Sequence, residues 1–122
     1  MPHVLFIDDD AKMREAYSQI LTRRGLNVIE AANGRTGIEM ACKHQPNIIL
    51  CDINLPDIDG YTILDTLFQQ GCLLNSAFYL VTGAQVDIFA LQATDGPLAG
   101  FLMKPFHIEE LIDILKQQLA MT

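Results

Sequence analysis

The chain is predicted to fold as an α/β domain built on a doubly wound, five-stranded parallel sheet. Three observations lead there. Short runs rich in apolar or β-branched residues recur five times: VLFI at 4–7, NVIEA at 27–31, NIILC at 47–51, AFYLV at 77–81 and GFLM at 100–103. Most are unbroken rather than alternating, as strands covered by helices on both faces must be. Stretches of helical apolar periodicity separate them, joined by short connections, so strand and helix alternate five times with no internal repeat or linker.

The elements follow in order. The first strand is expected over 4–8, and Asp10 can cap a helix over 11–24 whose inward stripe would be Met13, Ala16, Tyr17, Ile20 and Leu21, ended by Gly25. The second strand is 27–31. Asn33-Gly34 precedes a helix over about 35–45, with Ile38, Ala41 and Cys42 inward, which Pro46 closes. The third strand is 47–52, and Pro56 and Gly60 make NLPDIDG a loop. A helix over about 61–69 presents Ile63, Leu64, Leu67 and Phe68 before the fourth strand, 77–82. A weaker helix spans Gly83 to Ala93, the fifth strand is 99–103, and Lys104-Pro105 turns the chain into a helix over 107–120 with Ile108, Leu111, Ile112, Leu115 and Leu119 on one stripe. Right-handed crossovers and the element count suggest the strand order 2-1-3-4-5, the flavodoxin-like arrangement, which sets strands one and three side by side.

Composition narrows the function. The 122 residues suit one domain, and the net charge of −7 with a pI near 4.6 argues against a nucleic-acid surface. Arg23-Arg24, the largest basic cluster, sits where cations complement a helix C-terminus. Cys42, Cys51 and Cys72 are odd in number and lack metal-ligand spacing, so reduced thiols are expected. With no signal-peptide pattern and no run of membrane-spanning length, the protein is expected to be soluble and cytoplasmic.

The polar groups that end the strands carry the chemistry. Strand one stops at Asp8-Asp9-Asp10, strand three at Asp52, strand four at Thr82 and strand five at Lys104. In a parallel sheet these ends share the edge where open α/β folds bind ligands. Two carboxylates about 4 Å apart at an effective dielectric near 20 repel by roughly 4 kcal/mol, so cations are required. Asp8, Asp9 and Asp52 total −3; Lys104 with one Mg²⁺ totals +3, and magnesium suits oxygen ligands that leave water positions open. Asp52, alone at its strand end, is positioned as a carboxylate nucleophile toward phosphorus. Lys104 and Thr82 can hold phosphoryl oxygens, and Gly83 leaves space beside them.

Taken together, FIDDD at 6–10, LCDINLPDIDG at 50–60, VTG at 81–83 and FLMKPF at 101–106 resemble a response regulator receiver domain over essentially the whole chain, 1–122. The resemblance implies that Asp52 is the phosphoacceptor, fed by a phosphohistidine on a sensor histidine kinase or a histidine phosphotransfer protein. It implies Mg²⁺ held by Asp8, Asp9, Asp52 and the Asn54 carbonyl, and a phosphoryl group held by Thr82, Gly83 and Lys104. Thr82 and Phe101 would be the switch pair, and Pro105 a candidate cis-proline. The response would pass through the fourth strand, fourth helix, fifth strand and fifth helix to an output partner or fused output domain. A phosphorylation-dependent dimer is compatible with that pattern, although the last helix lacks the Arg-rich pattern of receivers that pair before binding DNA. No direct nucleic-acid or membrane binding and no turnover of a separate substrate are expected. The chain reads either as a complete single-domain regulator or as the receiver of something longer.

Some positions depart from the family pattern. Asp10 reads as a cap, Gly83 stands where Ala is frequent, Pro97 where Gly is usual and Asn47 where Asp is common; none removes a reactive group. The apolar stretch Val86, Ile88, Phe89, Ala90 and Leu91 is either core or part of a partner-binding face. Asn54 and Ala84, small and uncharged, would leave the phosphoryl group open to water. Two other readings compete with this one. A haloacid-dehalogenase-like phosphohydrolase would use Asp8-x-Asp10, but Lys12 breaks its motif and no cap domain fits. A flavodoxin-like binding module would want a Gly/Ser/Thr phosphate loop where this chain has acids.

Overall fold

The computed structural model describes residues 3–83 and 86–120. Five strands, β1 (His3–Ile7), β2 (Asn27–Ala31), β3 (Ile48–Asp52), β4 (Ala77–Thr82) and β5 (Gly100–Met103), alternate with five helices. These are α1 (Ala11–Arg23), α2 (Gly34–His44), α3 (Gly60–Gln69), α4 (Ile88–Gln92) and α5 (Ile108–Ala120). The strands form one parallel sheet in the order β2-β1-β3-β4-β5, as expected.

Strand alternation divides the core in two. Val4, Phe6, Ile48, Leu50, Tyr79 and Val81 point to one face, where Leu21 of α1 and Leu111 and Leu115 of α5 cover them. Leu5, Ile7, Ile49, Cys51, Phe78 and Leu80 point to the other, beneath Ala41 of α2 and Ile63, Leu64 and Leu67 of α3. Fully burying an aliphatic or aromatic side chain of this size contributes about 1.5–3 kcal/mol, so β1, β3 and β4 form the rigid floor from which the site projects.

Four helices start on an acidic or amide side chain that accepts an N–H of their own first turn. Asp10 accepts from Met13, Asn33 from Thr36, Asp59 from Thr62 and Asp87 from Ala90. Gly25 adopts φ +86° after α1, a conformation that glycine takes at no steric cost. Gln45 ends α2 in the left-handed region because Pro46 disfavours the right-handed helix at the residue before it.

Three expectations need correcting, besides Phe68, which was expected beside Ile63, Leu64 and Leu67 on α3 and is instead 45% exposed. First, α1 is rotated relative to its apolar stripe: Arg14, Tyr17, Ser18 and Leu21 turn inward, while Ala16 and Ile20 are exposed. Ser18 is small enough to lie against the sheet, and Arg14 is drawn in by polar partners. Second, α4 is only five residues long and is not a helix from Gly83; Ala84 and Gln85 lie outside the described residues. Third, Cys42 and Cys72 are joined in a disulfide, leaving Cys51 as a buried free thiol. Spacing alone conceals this pair. The folding of α2 and α3 onto the same sheet face is what brings their C-terminal ends together. The side chain of Leu119 lies outside the described residues; the rest of the α5 stripe is buried or half-buried.

Candidate phosphoacceptor site

The carboxyl ends of β1, β3, β4 and β5 bring the expected groups to one edge. Asp8 follows β1 directly and is completely buried; Asp52 ends β3 and Thr82 ends β4, both buried. Carboxylate oxygens of Asp8, Asp9 and Asp52 all lie within 4.8 Å of one another, with Asp9 exposed. Lys104, one residue past β5, reaches across them. Its Nζ is 2.9 Å from Asp52 Oδ2 and 3.0 Å from Asp8 Oδ2. The Lys104 N–H donates to the Thr82 carbonyl at 2.8 Å, fixing the start of the lysine side chain to the end of β4.

Burial pushes the Asp8 carboxyl above its ordinary range, against the opposing pull of the Asp10 N–H and Lys104. Burial also pulls the Lys104 ammonium down, but its hydrogen bond to Asp52 and its ion pairing with Asp8 together outweigh this and leave it above its ordinary range. The charge balance is incomplete, because three carboxylates meet one ammonium. Asp8 Oδ2 is an ion-pair neighbour of Lys104, yet it is buried and accepts no hydrogen bond of normal angle. An all-oxygen donor set with two uncompensated charges and a buried oxygen that accepts no hydrogen bond fits a hard divalent cation.

The loop after β3 is held by its own polar contacts. Asn54 donates its N–H to Asp52 Oδ1 at 3.3 Å. Gly60 begins α3 so close to β3 that a Cβ there would stand 2.8 Å from the Asp52 carbonyl oxygen, and its N–H donates to the Ile53 carbonyl. Gly83 is open by contrast, with Lys104 Cβ 3.9 Å from where its own Cβ would be. Phe101 is 39% exposed, its ring outside the core rather than packed inward. The Lys104-Pro105 bond is cis.

Several contributing residues went unnoticed in the sequence. Arg14 donates to the Asp8 carbonyl at 2.6 Å and pairs with Glu30, bracing the acidic turn from beneath. The Tyr61 hydroxyl accepts the Asp87 N–H at 3.0 Å, tying the start of α4 to α3. Asp57 accepts the N–H groups of Gly34 and Arg35 at 2.8 and 2.9 Å, so the β3–α3 loop grips the N-terminus of α2. An aspartate in P-D-x-D-G advertises a turn, but the helix it will hold is apparent only in three dimensions.

Those Arg35 and Gly34 N–H groups hold the Asp57 carboxyl below its ordinary value of 3.8. A lowered folded pKa gives stability that is fully present above the unfolded value and lost as pH falls through the folded one. The stability gap between the native chain and Asp57→Asn should therefore be constant above about pH 5 and close progressively below pH 3.8. Urea melts of both chains between pH 6 and roughly pH 2 measure it; a gap that does not change with pH would mean that the carboxylate charge is not what holds α2.

The sequence model of the response regulator receiver domain matches residues 4–116. The chain belongs to that family. Among curated relatives, this receiver domain is 36% identical over 116 residues to the C4-dicarboxylate transport transcriptional regulatory protein DctD of Pseudomonas aeruginosa, covering 95% of this chain but only 25% of that protein. It is 28% identical to the chemotaxis protein CheY of Bacillus subtilis, covering 95% of this chain and 96% of CheY. The crystal structure of a CheY-like receiver domain protein from Methanospirillum hungatei superposes with a TM-score of 0.84 at 27% identity, covering 98% of this receiver and 94% of that chain. The family and the fold expected from the sequence are thereby established: this is a receiver domain of the two-component response regulators. No helix among its described residues is long and apolar enough to cross a membrane.

Proposed function

We propose that this receiver is a phosphoacceptor switch in which Asp52 takes a phosphoryl group from a phosphohistidine. The donor would be a sensor histidine kinase or a histidine phosphotransfer protein. The observation that carries this reading is the Lys104 ammonium bridging Asp52 and the buried Asp8 at the sheet edge, beside a third carboxylate. Asp8, Asp9, Asp52 and the Asn54 carbonyl are the groups proposed to hold Mg²⁺, which when bound supplies positive charge to the phosphoryl oxygens. In the transfer a carboxylate oxygen of Asp52 forms the new P–O bond as the P–N bond to the donor imidazole breaks. Lys104, released from its pairing with Asp52, moves onto a phosphoryl oxygen, and the Thr82 hydroxyl takes another, with Gly83 leaving room.

The response is proposed to leave through the neighbouring strand end. Thr82 pairs in register with Met103, and Leu80 with Phe101, so a shift of Thr82 toward the phosphoryl group bears on β5 directly. Along α4 and β5, Ile88, Phe89, Phe101 and Met103 are exposed by 61, 85, 39 and 65%. Val86, Ala90 and Leu91 pack against the core, so the apolar stretch around α4 is divided between core and surface. The exposed members are proposed to meet the output partner or output domain. Phosphorylation would bias two conformations by about 1–3 kcal/mol. Asn54 puts no bulk over the acceptor, in keeping with a short-lived phosphoryl group, while Ala84 lies outside the described residues.

Incubation with radiolabelled acetyl phosphate and Mg²⁺ should label the chain once, and EDTA should prevent it. Continuous release of phosphate from many equivalents of an ester would favour a hydrolase instead, and absence of labelling under all metal conditions would overturn the proposal.

A further inference from the structure

The Cys42–Cys72 pair lies at the opposite edge of the sheet from Asp52, at the C-terminal end of α2 and in the turn that follows α3. We infer that these two cysteines form a thiol–disulfide exchange site, a second covalent input to the domain, chemically independent of the acceptor carboxylate.

Four observations carry the inference. Their Cα atoms are 5.0 Å apart, within the range a disulfide spans without backbone movement. Both cysteines are half-buried rather than enclosed, so an external thiol or disulfide can approach them. The third cysteine is a built-in contrast: Cys51 is completely buried in β3, out of reach of an external thiol or disulfide. Finally, the corner is stitched independently of sulfur. The Ser76 hydroxyl donates to the Pro46 carbonyl, Asn75 Nδ2 to Gln45 Oε1 at 3.3 Å, and the Ala77 N–H to the Asn47 carbonyl at 3.0 Å. The domain therefore keeps its fold with the sulfurs bonded or apart, which reversible exchange requires.

The oxidant is a small disulfide such as oxidised glutathione. A thiolate of the pair attacks one of its sulfurs, forming a mixed disulfide and releasing one glutathione thiolate. The second cysteine, deprotonated, attacks the protein sulfur of that intermediate, closing the Cys42–Cys72 bond and releasing the second glutathione. Two thiols are oxidised, one disulfide is reduced, and the two protons end on the two glutathione thiols. In the closed state α2 and α3 are tied at both ends, by the bridge here and by Asp57 at the acceptor edge. In the open state the Asp57 end, the hydrogen-bonded corner and the shared apolar packing of α2 and α3 remain.

The full chain, equilibrated in buffers spanning reduced to oxidised glutathione, alkylated briefly while still folded and then acid-quenched, tests this by mass spectrometry. In the reduced buffer Cys42 and Cys72 should take the alkylating group and Cys51 should not. In the oxidised buffer both should lose reactivity together, with the chain lighter by two hydrogens. Circular dichroism should be unchanged, while Tm should fall by roughly 10 °C on reduction, the loss expected for opening a closed loop of this length. In Cys72→Ser, Tm should be the same in every buffer. The inference is overturned by a stable single-site glutathione adduct, by a bridge that yields only after the chain is unfolded, or by loss of the fold on reduction.

Discussion

Replacing Asp52 by asparagine is expected to abolish phosphoryl labelling, by at least about 1,000-fold, as removal of a covalent nucleophile generally does. The substitution is nearly isosteric. The amide oxygen can still accept the Asn54 N–H, Lys104 keeps its ion pair with Asp8, and Gly60 still packs against the carbonyl of residue 52. Removing one of three crowded carboxylates lowers the repulsion at the edge, so Tm in the absence of metal should stay level or rise. Those two outcomes together separate the loss of a reactive group from a damaged fold. Labelling that persists in Asp52→Asn would move the acceptor to Asp8 or Asp9; labelling lost with a collapsed Tm would leave the nucleophile unassigned.

The parts of the site that the sequence disclosed are those a parallel sheet collects automatically. Asp8, Asp52, Thr82 and Lys104 each follow an apolar run, and once five such runs are read as parallel strands their ends must share one edge. The core strands were legible for the same reason, since burial on both faces leaves no room for polar interruption in VLFI or NIILC. What stayed hidden depends on packing between elements distant in the chain. The inward face of α1 is decided by Arg14 reaching the Asp8 carbonyl and Glu30, not by the apolar count along the helix. The Cys42–Cys72 bond and the Asp57 grip on α2 need the α2–α3 juxtaposition first. The short α4 is apolar enough to suggest a longer helix, but its N-terminus is set by the Asp87 cap and the Tyr61 hydroxyl, neither of which has a local signature strong enough to override that pattern.

Lys104→Met is expected to destabilise the metal-free domain by about 3 kcal/mol at neutral pH, the low end for breaking a buried ion pair, because a fifth of the lysine side chain reaches solvent. Methionine keeps most of the apolar stem and removes only the ammonium. Asp8 and Asp52 would then face each other with, among the described residues, the Asp10 and Asn54 N–H groups to offset them. The pH profile follows from the two shifts. The Asp8 carboxyl, already raised by burial, would rise further without Lys104, and a carboxyl with a raised folded pKa costs stability once pH exceeds its unfolded value of 3.8. The deficit should thus be small near pH 4 and grow toward neutrality. At the alkaline end, the native lysine's raised pKa contributes stability that is complete below 10.5 and lost as pH climbs through the folded value, so the deficit should shrink again there. Urea melts of both chains across this range, with and without Mg²⁺, measure the profile, and added Mg²⁺ should narrow the neutral-pH gap by supplying the missing charge. A deficit that ignores both pH and Mg²⁺ would mean that Lys104 acts only through the packing of its stem. The acidic cluster would then need some other source of positive charge to persist at the sheet edge.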